Sequence, residues 1–250
     1  MKPVLRFFEL TGKYFLLMRK TFTCPQNRRI FWENYVRELD DIGLKTVGMI
    51  LFINFFIGGV VTIQTALNLE NPLLDRSLIG FAAKQSVILE FSPTLSSVIL
   101  AGIVGSYIAS TIGTMRITEQ IDVLDVMGVN SANHLILPKI FATLSFYPFL
   151  IIMSMFMGIF GGWAAGQVTD LVSTADYLEG IRMDFEPFHF VYSMVKTLVF
   201  AFLIATIPSF FGYYVRGGAL EVGRASTKAV IWTSIMIVLW NYIITQLLLS

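Results

Sequence analysis

The sequence predicts an all-α integral membrane protein, and three observations carry that reading. Of its 250 residues, 55% are hydrophobic and only 14% are charged, a balance outside that of soluble domains of similar length. About five segments, residues 44–67, 95–115, 140–168, 188–214 and 229–249, are long enough to span, because a helix rising about 1.5 Å per residue needs roughly twenty apolar residues to cross about 30 Å of hydrocarbon. None shows the period-two alternation of barrel strands, and a helix pairs its own backbone in lipid, so helices are the expected elements.

Ahead of the first span, MKPVLRFFELTGKYFLLMRK interleaves Lys2, Arg6, Glu9, Lys13, Arg19 and Lys20 with apolar residues. It has neither an unbroken apolar core nor a small-residue cleavage site, so no cleaved signal peptide is expected. Next, RRIFWENYVRELDDIG sets Phe31, Tyr35, Leu39 and Ile42 on one stripe, with Arg28, Arg29 and Arg37 free to meet lipid phosphates. That pattern fits an amphipathic helix lying in the membrane interface, with packing against a soluble partner as the alternative. The expected organisation is cytoplasmic or interfacial N-terminal helices over residues 1–42 and a transmembrane domain over residues 43–250.

Basic residues set the orientation. With the N-terminus inside, fourteen of the eighteen Lys and Arg residues fall on the inner side, nine of them before the first span, so the positive-inside rule puts the N-terminus in the cytoplasm and Ser250 outside. No Arg/Ser-rich, acid-poor leader points to an organelle, and a bacterial inner membrane is the expected location.

The second span carries Gly102, Gly105, Ser106, Ala109 and Gly113, a strip of small residues that lets another helix come close, either within the fold or in a second subunit. The segment that follows, GTMRITEQIDVLDVMGVN, is too polar to cross. Thr118 is expected to cap a helix of about three turns over residues 117–128, with Glu119 and Asp122 in its first turn and Gly128 at its stop. Glu119, Asp122 and Asp125 recur every third residue on one side, with Ile117, Ile121 and Leu124 on the other. Acid would be repelled by an anionic leaflet, so a protein partner or plain solvation of this face are the two readings.

Other chemistries are set aside. Cys24 with His134 and His189 gives no metal-ligand spacing. GALEVGRA, residues 218–225, has the two-glycine spacing of a phosphate loop but puts Arg224 and Ala225 where Lys and Ser/Thr are required. No GxSxG serine or paired acids stand out, so an enzyme is not expected. Basic residues form no single stripe, so neither is a nucleic-acid partner. Glu90 and Lys196 are the ionisable residues nearest the apolar core. Such groups are functional by default, here as a polar rim for lipid head groups; marking a span end or snorkelling is the plainer reading.

The run EFSPTLSSVILAGIVGSYIASTIGTMRITEQIDVLDVMGVNSANHLILPKI, residues 90–140, and GYYVRGGALEVGRASTKAV, residues 212–230, closely resemble the MlaE-type permeases of ABC transporters that move lipids between bacterial membranes. Glu90, Pro93 and Lys196 match that family, whereas Ile103 stands where it commonly has arginine, and Phe91 and Ser92 where it commonly reads Leu-Gly. The resemblance implies a homodimer working with a separate ATPase subunit and a periplasmic lipid-binding protein of the MCE class. It implies too that the segment after the second span is a coupling helix on the ATPase, carried by Arg116, Thr118, Glu119, Gln120, Asp122 and Asp125. No cofactor is implied. An ion-coupled secondary transporter is the alternative, disfavoured by the odd span number and the lack of an internal repeat. Topology is open to direct test: a cytosol-active fluorescent reporter fused after Ser250 should stay dark, and full fluorescence would overturn the assigned orientation.

Overall fold

Backbone groups entering hydrocarbon must be paired within the chain, and helices alone meet that demand among the described residues. The computed structural model describes residues 2–23, 27–69, 75–184 and 186–249. The elements are α1 (Lys2–Thr21), α2 (Arg28–Glu38), a π-helical turn (Leu39–Leu44), α3 (Lys45–Asn68), α4 (Ser77–Ser86), a π-helical segment (Val87–Leu95), α5 (Ser96–Ile117), α6 (Gln120–Val126), α7 (Ser131–Val168), α8 (Thr174–Arg182), α9 (Pro187–Tyr213) and α10 (Ala219–Leu249).

Among the described residues, five helical stretches are long and apolar enough to cross a membrane: Arg28–Asn68, Ser77–Ile117, Ser131–Val168, Pro187–Tyr213 and Ala219–Leu248. Their number and order are those expected. Several begin well before the apolar run does, because helix continues through polar residues that hydropathy does not register. The first and second, at 41 residues each, are about 60 Å long, twice the hydrocarbon thickness. Glu90 therefore lies inside a helix and does not mark the end of one. The π-helical geometry there has a local cause. Pro93 has no N–H to donate and its ring would strike the carbonyl four residues back, and the wider turn of Val87–Leu95 accommodates it.

The chain groups into two compact units, Met1–Leu44 with Leu100–Ser145 and Ala201–Ile237, and Lys45–Ile99 with Phe146–Phe200 and Val238–Ser250. Within the second, glycines bring helices to backbone contact. A Cβ on Gly58 of α3 would overlap the Gly158 carbonyl of α7, and one on Gly161 would overlap the Phe55 carbonyl. The short helices α4 and α8 meet the same way, with Gly180 against the Ser77 carbonyl and Gly80 against that of Tyr177. Small residues are what let membrane helices gain dispersion contact where burial from water offers little. Lys84 completes the hairpin by donating to the carbonyls of Met183 at 2.7 Å and Ile181 at 3.2 Å, orphan acceptors at the end of α8.

In the first unit, α1 buries Leu17, Met18 and Thr21, and Tyr14 donates to Thr206 at 2.8 Å. The expected stripe of α2 points inward. Phe31 meets Phe141 edge-on, Tyr35 hydrogen-bonds Ser145 at 2.9 Å, and Ile42 is buried. Trp32 and Val36 on the other side are exposed.

The small strip on α5 is largely spent inside this unit. A Cβ on Gly105 would lie 3.2 Å from Pro208 and one on Gly113 3.1 Å from Val222, while Gly212 sits against Ala109. The Ser106 carbonyl accepts from Ser226 at 3.3 Å. Of the three glycines in the strip, Gly102 alone faces open space.

These glycines differ in what they permit. Gly58→Ala should lower thermal stability in detergent by about 2 kcal/mol, because the new methyl would have to displace backbone. Gly48→Ala, where nothing lies within 4 Å, should be neutral or slightly stabilising. Equal melting temperatures for the two variants would contradict the packing.

Candidate functional site

The two ionisable residues singled out in the spans are partners. Lys196, in α9, has a fully buried side chain, and its ammonium lies 2.5 Å from Glu90 Oε1 and 3.3 Å from the Leu89 carbonyl oxygen. It also lies 4.4 Å from the Tyr192 ring centroid, within cation–π range. A snorkelling lysine would reach outward for water; this one ends on a carboxylate inside its own unit.

Glu90 collects further donors on both oxygens. Oε2 accepts from Thr94 at 3.0 Å and from Asn241 Nδ2 at 3.1 Å, and Oε1 has longer contacts, 3.4 Å each, with the hydroxyls of Tyr192 and Thr245. Tyr192 and Thr245 are themselves 2.8 Å apart. The π-helical segment, α9 and α10 thus each contribute a polar pair: Glu90 and Thr94, Tyr192 and Lys196, Asn241 and Thr245. Sequence reading found only Glu90 and Lys196. The missed signal is that all three pairs have i, i+4 spacing, so each puts two polar groups on one helical face.

The arrangement is lopsided. Lys196 is 0% exposed whereas the Glu90 side chain is 40% exposed, so the cation is sealed in and the carboxylate, with its ring of hydroxyls and an amide, is open on one side. A buried ammonium costs several kcal/mol unless paired, which makes Glu90 obligatory for Lys196. What the site presents outward is a patch of hydrogen-bonding groups of near-zero net charge within otherwise apolar helices. Among the described residues no cluster of His, Cys, Asp and Glu could hold a metal ion.

The polar segment between the second and third spans departs from expectation in three ways. Its helix, α6, has seven residues, two turns instead of three. Thr118 does not cap it: its hydroxyl donates back to the Thr114 carbonyl at 2.9 Å and accepts from Gln120 at 3.0 Å. Glu119 takes the N-cap position in the left-handed region, at φ 61°. The acids, finally, are not a free face. Arg116 holds Asp122 at 2.7 Å, and Asp125 accepts from Ser131 at 2.7 Å with Lys20 3.6 Å away. Glu119 alone of the three has no side-chain partner among the described residues. Ile121 is buried as expected, but the outward side carries Val123, Met127 and Val126, the last 88% exposed. Gly128, at φ +78°, ends the helix as expected.

Two asparagines just beyond α6 tie it to the start of the chain. Asn133 Nδ2 donates to the carbonyls of Thr21 at 2.7 Å and Thr23 at 2.6 Å, and Asn130 Nδ2 to the Lys20 carbonyl at 2.9 Å. The Lys20 and Thr21 carbonyls are orphan acceptors of the α1 C-terminus, capped from about 110 residues away.

Five membrane-crossing helices, a buried charge pair and a short helix on a polar connection define a multi-pass membrane protein of permease type. The family model described as Permease MlaE matches residues 35–247, and the chain belongs to that family. A probable ABC transporter permease protein of Rickettsia bellii is 31% identical over 246 residues, covering 98% of this chain and 95% of the relative. The intermembrane phospholipid transport system permease protein MlaE of Haemophilus influenzae is 26% identical over 99% of this chain and 95% of its own length. The chloroplastic protein TRIGALACTOSYLDIACYLGLYCEROL 1 of Arabidopsis thaliana is 30% identical over 87% of this chain and 62% of the relative.

The clasp on α1 can be probed alone. Asn133→Ala removes two hydrogen bonds, each worth about 1 kcal/mol, so amide exchange in the last turn of α1 should quicken by about thirtyfold. Exchange at the wild-type rate there would mean that α1 is held by its apolar face only.

Proposed function

We propose that this chain is the permease subunit of an ABC transporter that moves phospholipids or related lipids between bacterial membranes, driven by a separate ATPase subunit. The observation that carries the reading is the half-open Glu90 patch. A head group needs hydrogen-bond donors and acceptors where it passes apolar helices, and Glu90, Tyr192, Asn241 and Thr245 supply both. Membership of the Permease MlaE family and the phospholipid transport named for the Haemophilus influenzae relative support the choice of lipid as cargo. Energy comes from outside the chain in this reading: after Gly218 the segment forms the first turns of α10, with Arg224 paired to Glu221 at 2.5 Å, instead of a phosphate loop.

The protein works as a homodimer in the inner membrane, with its N-terminus in the cytoplasm, its C-terminus in the periplasm, and an MCE-class lipid-binding protein as periplasmic partner. Residues 1–42 lie at the interface and residues 43–250 form the permease domain. The exposed Trp32 and Val36 beside Arg28 and Arg29 favour that placement of α2. The connection carrying α6 couples to the ATPase. Its internally neutralised acids favour Val123, Val126 and Met127 as the contacting surface, with Glu119 as the available charge.

The charge pair separates assembly from transport. Glu90→Gln alone leaves the Lys196 ammonium buried and unpaired, and should lower stability by about 3 kcal/mol. Glu90→Gln with Lys196→Met removes both charges and should restore complex yield, yet transfer labelled lipid between liposomes at less than a tenth of the wild-type rate. Wild-type transfer by the double variant would make the pair structural only.

A further inference from the structure

A polar cavity shares no lining residue with the Glu90 patch. It occupies about 490 Å³ within the unit formed by Met1–Leu44, Leu100–Ser145 and Ala201–Ile237, a volume in the range of small-ligand sites. Its walls carry Arg37 and Glu38 of α2, Asp41 of the π-helical turn, Tyr107 of α5, and His134 and Lys139 of α7. Lys139 lies 2.5 Å from Glu38 Oε1, with the two side chains 3% and 15% exposed. Tyr107 donates to Asp41 at 3.1 Å.

Two features are left over once these pairs are drawn. Glu38 Oε2 is buried and accepts no hydrogen bond, an unmet demand that costs a buried carboxylate more than a neutral acceptor. Arg37 is exposed and has no ion-pair or hydrogen-bond partner among the described residues. One vacant acceptor and one vacant planar cation ask for a ligand bearing an N–H donor and an anion together. The formal charges lining the cavity cancel, Arg37 and Lys139 against Glu38 and Asp41, which favours a zwitterion over a purely anionic species. Arginine suits phosphate, which it can grip with two N–H groups. The terminal torsion of Glu38 is soft, so its carboxylate can reorient toward a guest. The apolar outer side of α2, with exposed Ile30, Trp32 and Val36 beside Arg37, puts lipid within reach of the cavity.

We propose that this cavity holds the head group of an aminophospholipid, its phosphate on Arg37 and its primary ammonium on the Glu38 and Asp41 carboxylates. The site rests on the membrane reading of the chain but is separate from the Glu90 patch. A quaternary choline head group has no N–H to give Glu38, and a glycerol head group has no cation, so both are discriminated against.

Delipidated full-length protein in detergent, titrated with dihexanoyl phosphatidylethanolamine and followed by native mass spectrometry, tests it. Wild type should bind this lipid about tenfold more tightly than the matching phosphatidylcholine or phosphatidylglycerol, and Arg37→Gln should lose about tenfold, the worth of one charge-assisted contact. Arg37 is exposed, so that variant keeps the fold, and Arg37→Lys should recover part of the loss. The variant with both Glu90→Gln and Lys196→Met should keep the preference whatever its transfer rate. Equal affinity for the three lipids, or an Arg37→Gln variant that binds as wild type, overturns the proposal. Soluble phosphoethanolamine binding as tightly as the lipid would overturn the membrane source of the ligand.

Discussion

Inside hydrocarbon no polar group can be left for water to satisfy, and most of this structure follows from that constraint. It selects helix for every described segment that crosses, and it governs the side chains on those helices. Thr62, Thr143, Thr197, Ser209 and Thr233 each return their hydroxyl to the carbonyl four residues back, at 2.6 to 3.0 Å. Asn54, which is too polar to be buried alone, donates to its own helix at Ile50 and to Ser96 at 2.8 Å. Lys196 is the strictest instance, since an ammonium has no carbonyl on its own turn to satisfy it and must recruit a carboxylate from another helix.

Seen this way the π-helical segment and the charge pair are one feature. Pro93 removes a donor and widens the turn, and Glu90 sits within that turn with its carboxylate turned to Lys196. A regular α-helix would aim position 90 differently, since each residue adds about 100° of rotation. Local strain at a proline is thereby converted into side-chain aim, a common use of π geometry at functional positions.

Hydropathy made the fold legible because five apolar runs are an unambiguous signal. It failed at their ends, where helix runs on through apolar stretches broken by polar residues, as in Ser77–Ser86, which Lys84 and Gln85 interrupt. Half of the Glu90 site was legible, through the rarity of charge in spans. Thr94, Tyr192, Asn241 and Thr245 are ordinary near membrane-helix ends and become a site only when three helices are brought together. The acids of α6 were misleading for the opposite reason: their spacing was visible, but the cations that neutralise Asp122 and Asp125 come from Arg116 and from Lys20, over a hundred residues away for the latter. The small strip was found on α5, whereas the closest backbone contacts use Gly58, Gly158, Gly161, Gly80 and Gly180, whose significance depends on which helices face each other.

The asparagine clasp has a consequence for the order in which the protein is made. The carbonyls that end α1 find their donors on Asn130 and Asn133, and Thr21 is 112 residues from Asn133. At about 5 to 20 residues per second, the ribosome needs roughly 6 to 22 s to supply them. Throughout that interval the end of the first helix emerges, and the next two spans are threaded, with only water or head groups to serve those acceptors. The end of α1 is thus fastened only after two later spans have been made, and its fastening waits until the polar connection between the second and third spans has been laid down.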